Sequence, residues 1–167
     1  MTDPLEFTIG NILRQQKLTL SIAESCTGGL VSHRITNVAG SSDYYIGGIV
    51  AYAYEAKVSL LGVKWETLRA YGAVSRQVVL QMAIGVRLAL KTDLALSVSG
   101  IAGPAGETDE KPVGTTWIGL ADAKQAWARG FYFKGNRLEN KCASAEALLQ
   151  LLLVYLQGDR NLDKELR

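Results

Sequence analysis

Short apolar runs alternate along this chain with longer segments whose apolar residues recur at helical spacing, and no other feature constrains the fold as much. Leu18 to Ala23 (LTLSIA) and Leu94 to Ser99 (LALSVS) are short and apolar, and read as buried strands. Tyr44 to Tyr52 (YYIGGIVAY) is rich in β-formers and reads as a strand weakened by its central glycines. Thr115 to Ala121 and Ala126 to Phe133, separated by a short polar turn, read as a hairpin. Helical spacing marks Leu5 to Gln16, Leu30 to Val38, Glu55 to Leu61, Lys64 to Ala70, Ser75 to Lys91 and Asn136 to Leu156. Ser75 stands where an N-cap is needed. The order predicts a three-layer α/β/α sandwich with a mixed, mostly parallel sheet and a C-terminal antiparallel hairpin. In such sheets ligands bind beyond the carboxyl ends of the strands.

A length of 167 residues suits one domain, 1–167, with one core, and no repeat or linker interrupts it. Eighteen basic and sixteen acidic side chains give a net charge of +2, with no basic run, which argues against a nucleic-acid partner. The opening residues Met1 to Glu6 lack the basic and apolar regions of a signal peptide, and no apolar stretch approaches the ~20 residues of a membrane span. Two widely separated cysteines, Cys26 and Cys142, fit a reducing compartment, so the expected location is cytoplasmic. The tail from Gln157 to Arg167 is polar and reads as frayed. Leu148 to Leu156 carries more apolar residues than one helix face holds, which predicts burial on more than one side and a homodimer or higher homo-oligomer.

Two glycine-containing loops come directly after strands: Ser25-Cys26-Thr27-Gly28-Gly29 and Ser99-Gly100-Ile101-Ala102-Gly103-Pro104. Glycine lets backbone N–H groups approach an anion, and the first loop opens a helix, so together they read as a phosphate or carboxylate cradle. Two tight strand-to-helix turns are the plainer reading, and neither loop matches a dinucleotide or P-loop pattern. His33, the single histidine, reads as a surface residue in mid-helix, and one histidine with two isolated cysteines leaves no metal-ligand set. Cys26 stands at a helix start, where a thiol pKa can fall, although a small buried residue is the simpler reading. A serine with a lysine base remains: Ser41 and Ser42 lie in a loop, Lys57 in the helix after the next strand, and Tyr52 five residues before Lys57. Arg137 opens the last helix, where it could grip a phosphate or simply face solvent.

These residues also carry a family resemblance. AESCTGG (Ala23 to Gly29), ITNVAGSS (Ile35 to Ser42), AYAYEAK (Ala51 to Lys57), GAVS (Gly72 to Ser75), SGIAGPAG (Ser99 to Gly106), KPVGT (Lys111 to Thr115) and FKGNR (Phe133 to Arg137) occur in one order. Together they resemble the C-terminal domain of the CinA competence/damage-inducible family in its free-standing form. The resemblance implies an amidohydrolase that converts nicotinamide mononucleotide to nicotinic acid mononucleotide and ammonia, with no metal or organic cofactor. It implies Ser42 as nucleophile, Lys57 as its base and Tyr52 as an aid to proton transfer. It places Ser25, Thr27, Gly28, Gly29, Ser99, Gly100 and Gly103 along the substrate and Arg137 on phosphate. The chain departs from the family pattern at Ala53 and Tyr54, where Ser-Asn is usual, at Asn136, where Asp is usual, and at Lys141, where Arg is usual. Tyr52 and Tyr54 would point to one side of an extended strand end, so the Tyr54 ring is expected to narrow the pocket. That leaves two alternatives open: a weak or inactive paralogue that binds a nucleotide in a regulatory role, and an amidase using Cys26.

Overall fold

The computed structural model of the chain describes residues 4–164. Among the described residues, six α-helices and five strands occur in the order α1 (Leu5–Gln16), β1 (Leu20–Glu24), α2 (Leu30–Thr36), β2 (Tyr45–Val50), α3 (Tyr54–Leu61), α4 (Trp65–Tyr71), α5 (Arg76–Leu90), β3 (Leu94–Gly100), β4 (Thr115–Ala121), β5 (Ala126–Tyr132) and α6 (Arg137–Leu156). Sequence periodicity anticipates each of these elements to within a few residues; it does not anticipate the single 3₁₀ turn at Ser41–Asp43. Ser75 caps α5 by accepting from the Val78 N–H, and Asn136 caps α6 in a capping box with Glu139.

The strands form one sheet in the order β2-β1-β3-β4-β5. β1 pairs in parallel with β2 and β3, whereas β4 is antiparallel to both β3 and β5. The sheet is therefore mixed: β1, β2, β3 and β5 run one way and β4 runs against them. The reason lies between β3 and β4, where residues 101–114 form no helix to carry a crossover. Instead the segment closes on itself: Ile101 donates to the Thr115 carbonyl and Gly114 donates to the Ile101 carbonyl.

Strand alternation sends the large residues Leu20, Ile22, Leu94, Leu96, Val98, Ile118 and Leu120 to one face, under α1, α2 and α6. The other face carries small residues, with Ala23 and Ala95 packed under α5. Smallness there lets α5 approach closely: the Ser97 hydroxyl donates to the Val79 carbonyl at 2.6 Å, and a Cβ on Gly119 would lie 2.9 Å from that same oxygen. Helix α5 meets α3 just as tightly, since a Cβ on Gly85 would fall 1.8 Å from the Leu61 carbonyl oxygen.

One expectation changes and the ground of another shifts. Leu148, Leu149, Leu151, Leu152 and Leu156 of α6 are all buried within the chain itself, where α6 packs against the sheet, α1 and α2. Most of the apolar excess behind the homo-oligomer expectation is thus buried within the chain. The tail is not frayed as far as residue 164. Leu162 is fully buried, its carbonyl accepts from Arg129, and Asp163 accepts from the Ala128 N–H and pairs with Arg76. The segment thereby covers part of the outer edge of β5. Residues 165–167 of that tail, and Met1 to Asp3 of the segment read for a leader, lie outside the described residues. Among the described residues no helix is long and apolar enough to cross a membrane.

The α3–α5 contact gives a test in which two effects oppose. Helix propensity alone would make Gly85→Ala stabilising by about 1 kcal/mol. The added methyl has no room against backbone, so a net loss of roughly 2 kcal/mol or more is expected in urea denaturation.

Candidate active site

Parallel pairing of β1 with β2 and β3 brings three strand ends together. Ser25 comes directly after β1, Lys57 stands one turn into the helix after β2, and Ser99 and Gly100 close β3. They line a cavity of about 240 Å³ whose walls also include Tyr52, Gly103 and Arg137.

Lys57 decides the chemistry of this cavity. It is only 1% exposed, and its Nζ donates to the Ser25 Oγ at 3.0 Å and to the Ala51 and Tyr52 carbonyls at 2.8 and 2.9 Å. Burial disfavours the ammonium and lowers its pKa to about 8. A neutral amine has two hydrogens and one lone pair. The two carbonyls can take both hydrogens, which turns the lone pair toward the Ser25 hydroxyl. That is the arrangement of a nucleophile with its general base.

Ser42 is not part of this arrangement. It lies in the 3₁₀ turn that precedes β2, at the opposite edge of the sheet from Lys57. The six residues of β2 hold the two edges about 20 Å apart. Ser25, expected only to line the substrate, takes the position beside the lysine.

The first glycine loop is not an open anion cradle either. Its anion is supplied by the chain. The fully buried Glu24 carboxylate accepts from the Thr27 hydroxyl at 2.6 Å, from the Gly29 and Val31 N–H groups at 3.0 and 3.1 Å, and from the Ser32 N–H and hydroxyl at 2.8 and 2.7 Å. Thr27, Gly28 and Gly29 therefore form the seat of Glu24 and do not line the cavity. Gly28 and Gly29, at φ 60° and 98°, supply the left-handed turn that folds the loop around the carboxylate.

The second loop does face the cavity. Gly100 sits too close to the Thr116 hydroxyl, 2.6 Å from a built Cβ, to carry a side chain. Arg137 donates to the Gly103 carbonyl at 2.6 Å and to the Tyr52 hydroxyl at 3.2 Å, which holds its guanidinium at the cavity wall. Asn140, not anticipated from the sequence, is buried one turn further on. Its side chain donates to the Ala102 and Gly135 carbonyls and accepts from the Gly135 N–H, so it ties α6 to the loop.

The departures from the family pattern fall outside the cavity. Tyr54 begins α3, so strand alternation with Tyr52 does not apply. Its hydroxyl accepts from the Ala73 N–H and its ring lies in a neighbouring groove. Asn136 caps α6, a task Asp performs as well. Lys141 keeps a positive charge beside Gly28, 3.9 Å from that residue's built Cβ. His33 is exposed on α2.

Known proteins resemble this chain in both sequence and structure. The CinA C-terminal domain family matches residues 2–156. The chain belongs to that family. A CinA-like protein of Amoebophilus asiaticus is 52% identical over 94% of the chain, and one of Salinibacter ruber is 51% identical over 87%. The chain spans only 38% and 35% of the length of those two relatives. Among solved structures, the competence/damage inducible protein CihA of Agrobacterium tumefaciens superposes with a TM-score of 0.87 at 38% identity, covering 92% of this chain and 93% of that one. The competence damage-inducible protein A of Klebsiella pneumoniae superposes with a TM-score of 0.90 at 31% identity, covering 92% and 96%. The α/β architecture of this CinA-family chain, helices on both sides of a mixed five-stranded sheet, is thus that of its solved relatives.

Cys26 lies one residue past Ser25, buried, with its thiol pushed up to about 12 by desolvation. It is a packing residue, as the simpler reading of its position has it, and not an activated thiol. A thiol titration at neutral pH checks this: the exposed Cys142 should react promptly, and Cys26 only on unfolding. Two fast thiols in the folded protein would contradict it.

Proposed function

We propose that this CinA-family chain is an amidohydrolase that cleaves the carboxamide of nicotinamide mononucleotide, with Ser25 as nucleophile and Lys57 as general base. The observation that carries the reading is the buried Lys57 amine 3.0 Å from the Ser25 hydroxyl on the wall of a cavity. The neutral amine takes the Ser25 proton as Oγ attacks the carboxamide carbon. The tetrahedral intermediate then breaks its C–N bond, and Lys57 returns the proton to the departing nitrogen, so ammonia leaves and an acyl ester on Ser25 remains. A water, deprotonated by the same amine, hydrolyses that ester and restores both residues. No step draws on a metal or organic cofactor.

Arg137 is positioned to hold the phosphate, since its guanidinium is oriented by Gly103 and Tyr52 and reaches the cavity wall. Tyr52 serves as a positioning residue: its carbonyl fixes Lys57 and its hydroxyl fixes Arg137. Ser99 lines the cavity on the same strand edge. An intact serine–lysine pair and an unobstructed Arg137 favour turnover over the inactive-paralogue reading.

Ammonia release from nicotinamide mononucleotide tests the proposal. Ser25→Ala and Lys57→Ala should each lower kcat by roughly 10³-fold or more, and the double variant should lose little beyond that. Ser42→Ala, on the far edge, should leave the rate within about twofold. Equal loss at Ser42 would restore the other serine as nucleophile.

The pH dependence is set by the sign of the shift. Burial lowers the Lys57 pKa to about 8, and the base must be neutral to act. The rate should therefore rise with pH through about 8 and level off above it. A rate that falls over that range would contradict a lysine base.

A further inference from the structure

The sheet has two edge strands, β5 and β2, and the chain treats them differently. The tail lies along part of β5, where Arg129 and Lys164 form a bridge. Along the outer side of β2 no described segment pairs. The ladder with β1 runs on at both ends of β2: the Tyr44 carbonyl accepts from the Leu20 N–H, and the Ala51 N–H donates to the Glu24 carbonyl. The register slips at Ile46 in a bulge, and beyond it Gly47 to Val50 pair regularly. Such an edge presents a row of unpaired N–H and C=O groups, which proteins commonly blunt with charge or proline. Tyr44 to Tyr52 (YYIGGIVAY) carries neither. Ile46, Val50 and Tyr52 stand 50%, 51% and 62% exposed along it, although all three side chains are large and apolar.

An extended strand is what such an edge accepts, and β2 of a second copy is the strand the molecule itself offers. Paired with itself in an antiparallel sense, the edge closes on a two-fold axis and leaves no open strand. The Ala51 N–H points to β1, so by alternation the N–H and C=O groups of Gly48 and Val50 point outward. A register centred on Gly48 sets Ile46 beside the partner's Val50, apolar on apolar. The same register sets Tyr52 opposite the partner's Tyr44. It thereby brings the partner's Ser41–Asp43 turn to the mouth of the cavity that Tyr52 lines. On that turn the Asp43 carboxylate is paired with Arg14 at 3.3 Å, so the turn adds no net charge beside Arg137. A stable dimer buries roughly 800 Å² on each partner. The six residues of β2 supply less than that, so the contact extends to the strand ends, where Tyr52 and the 71% exposed Leu138 stand beside Arg137.

We propose that the chain works as a two-fold dimer joined through the outer edge of β2, in which the Ser41–Asp43 turn of each protomer closes the mouth of its partner's cavity. The closing role rests on the amidohydrolase reading, and the interface does not. The turn acts by its shape, so Ser42→Ala leaves the dimer intact. Light scattering should find a dimer at micromolar concentration. Ile46→Lys and Val50→Lys, at exposed positions, should each give a monomer with an unchanged circular dichroism spectrum. Register is read by crosslinking in a Cys142→Ser background, where the remaining Cys26 is buried. Ile46→Cys and Val50→Cys proteins, mixed and left to exchange, should form a disulfide-linked dimer. Neither should do so alone, because like positions then lie roughly 14 Å apart. A monomeric unmodified protein, or a disulfide that forms no better in the mixture than in either protein alone, overturns the interface. Mouth closure is read by calorimetry as binding of nicotinamide mononucleotide to the Ser25→Ala protein. Adding Ile46→Lys, at the strand end away from the cavity, should raise the dissociation constant about tenfold, since Tyr52 loses its cover and Arg137 its orientation. An unchanged dissociation constant overturns the closing role. A dimer with the mixed crosslink that neither binds nor deamidates the mononucleotide supports the interface and refutes the amidohydrolase reading, together with the closing role that rests on it.

Discussion

A lysine that is only 1% exposed governs this molecule, because every arrangement around it answers the cost of removing an ammonium from water. A pKa of about 8 in place of 10.5 corresponds to about 3 kcal/mol of bias toward the neutral amine. Three acceptors surround the nitrogen, and the pKa is lowered with all of them in place. They fix direction instead. Two are carbonyls at the end of β2, where the chain leaves the sheet and its backbone oxygens are free to turn inward. The third is a serine at the end of the neighbouring strand. Strand pairing in parallel is therefore what creates the pair, because only parallel neighbours deliver both carboxyl ends to one edge.

Glu24 serves the same edge from the other side. A carboxylate buried with five hydrogen bonds fixes the turn that begins at Ser25 and continues into α2. Hydrogen bonds to a charged acceptor are worth more than neutral ones, which suits a turn that must hold Ser25 beside Lys57. The two glycine loops accordingly divide their labour. The first is filled by the chain's own anion and positions Ser25. The second stays open to the cavity, and Asn140 and Arg137 of α6 hold it in place. The antiparallel half of the sheet supplies no side chain to the reaction pair. It supplies the bed for α6, and hence the placement of Arg137 and Asn140.

Most of the fold is legible in the sequence because period and capping agree. Ser75 and Asn136 mark helix starts, and alternating large and small residues in LALSVS reflect two differently spaced faces. The parallel-to-antiparallel change is less legible, since nothing in residues 101–114 states whether a long loop crosses the sheet or returns along it. The site is half legible. Lys57, Tyr52, Ser99 and Arg137 do gather at one edge. The serine beside Lys57 is harder to place, because the resemblance implies Ser42, 15 residues before Lys57, and not Ser25, 32 residues before it. A usable signal is present all the same. Ser25 stands just past the end of a strand, whereas Ser42 precedes one, and a parallel sheet gathers the residues beyond its carboxyl ends. Glu24 is also readable as a lone charge ending an apolar strand, with hydroxyl residues three and eight positions later to receive it. Tyr54 misleads for a different reason. Strand alternation cannot be extended past the point where the helix begins.

The central claim is that Lys57 is a base poised to lose its proton near pH 8, well below the ordinary lysine range. NMR titration of lysine side chains labelled at Cε reads this directly in the resting protein, without any substrate. A poised base predicts one lysine titrating near pH 8, missing from the spectrum of Lys57→Met, and shifted in Ser25→Ala by the loss of its hydroxyl partner. A spectrum in which every lysine, Lys57 included, titrates near the ordinary value of 10.5 would contradict it.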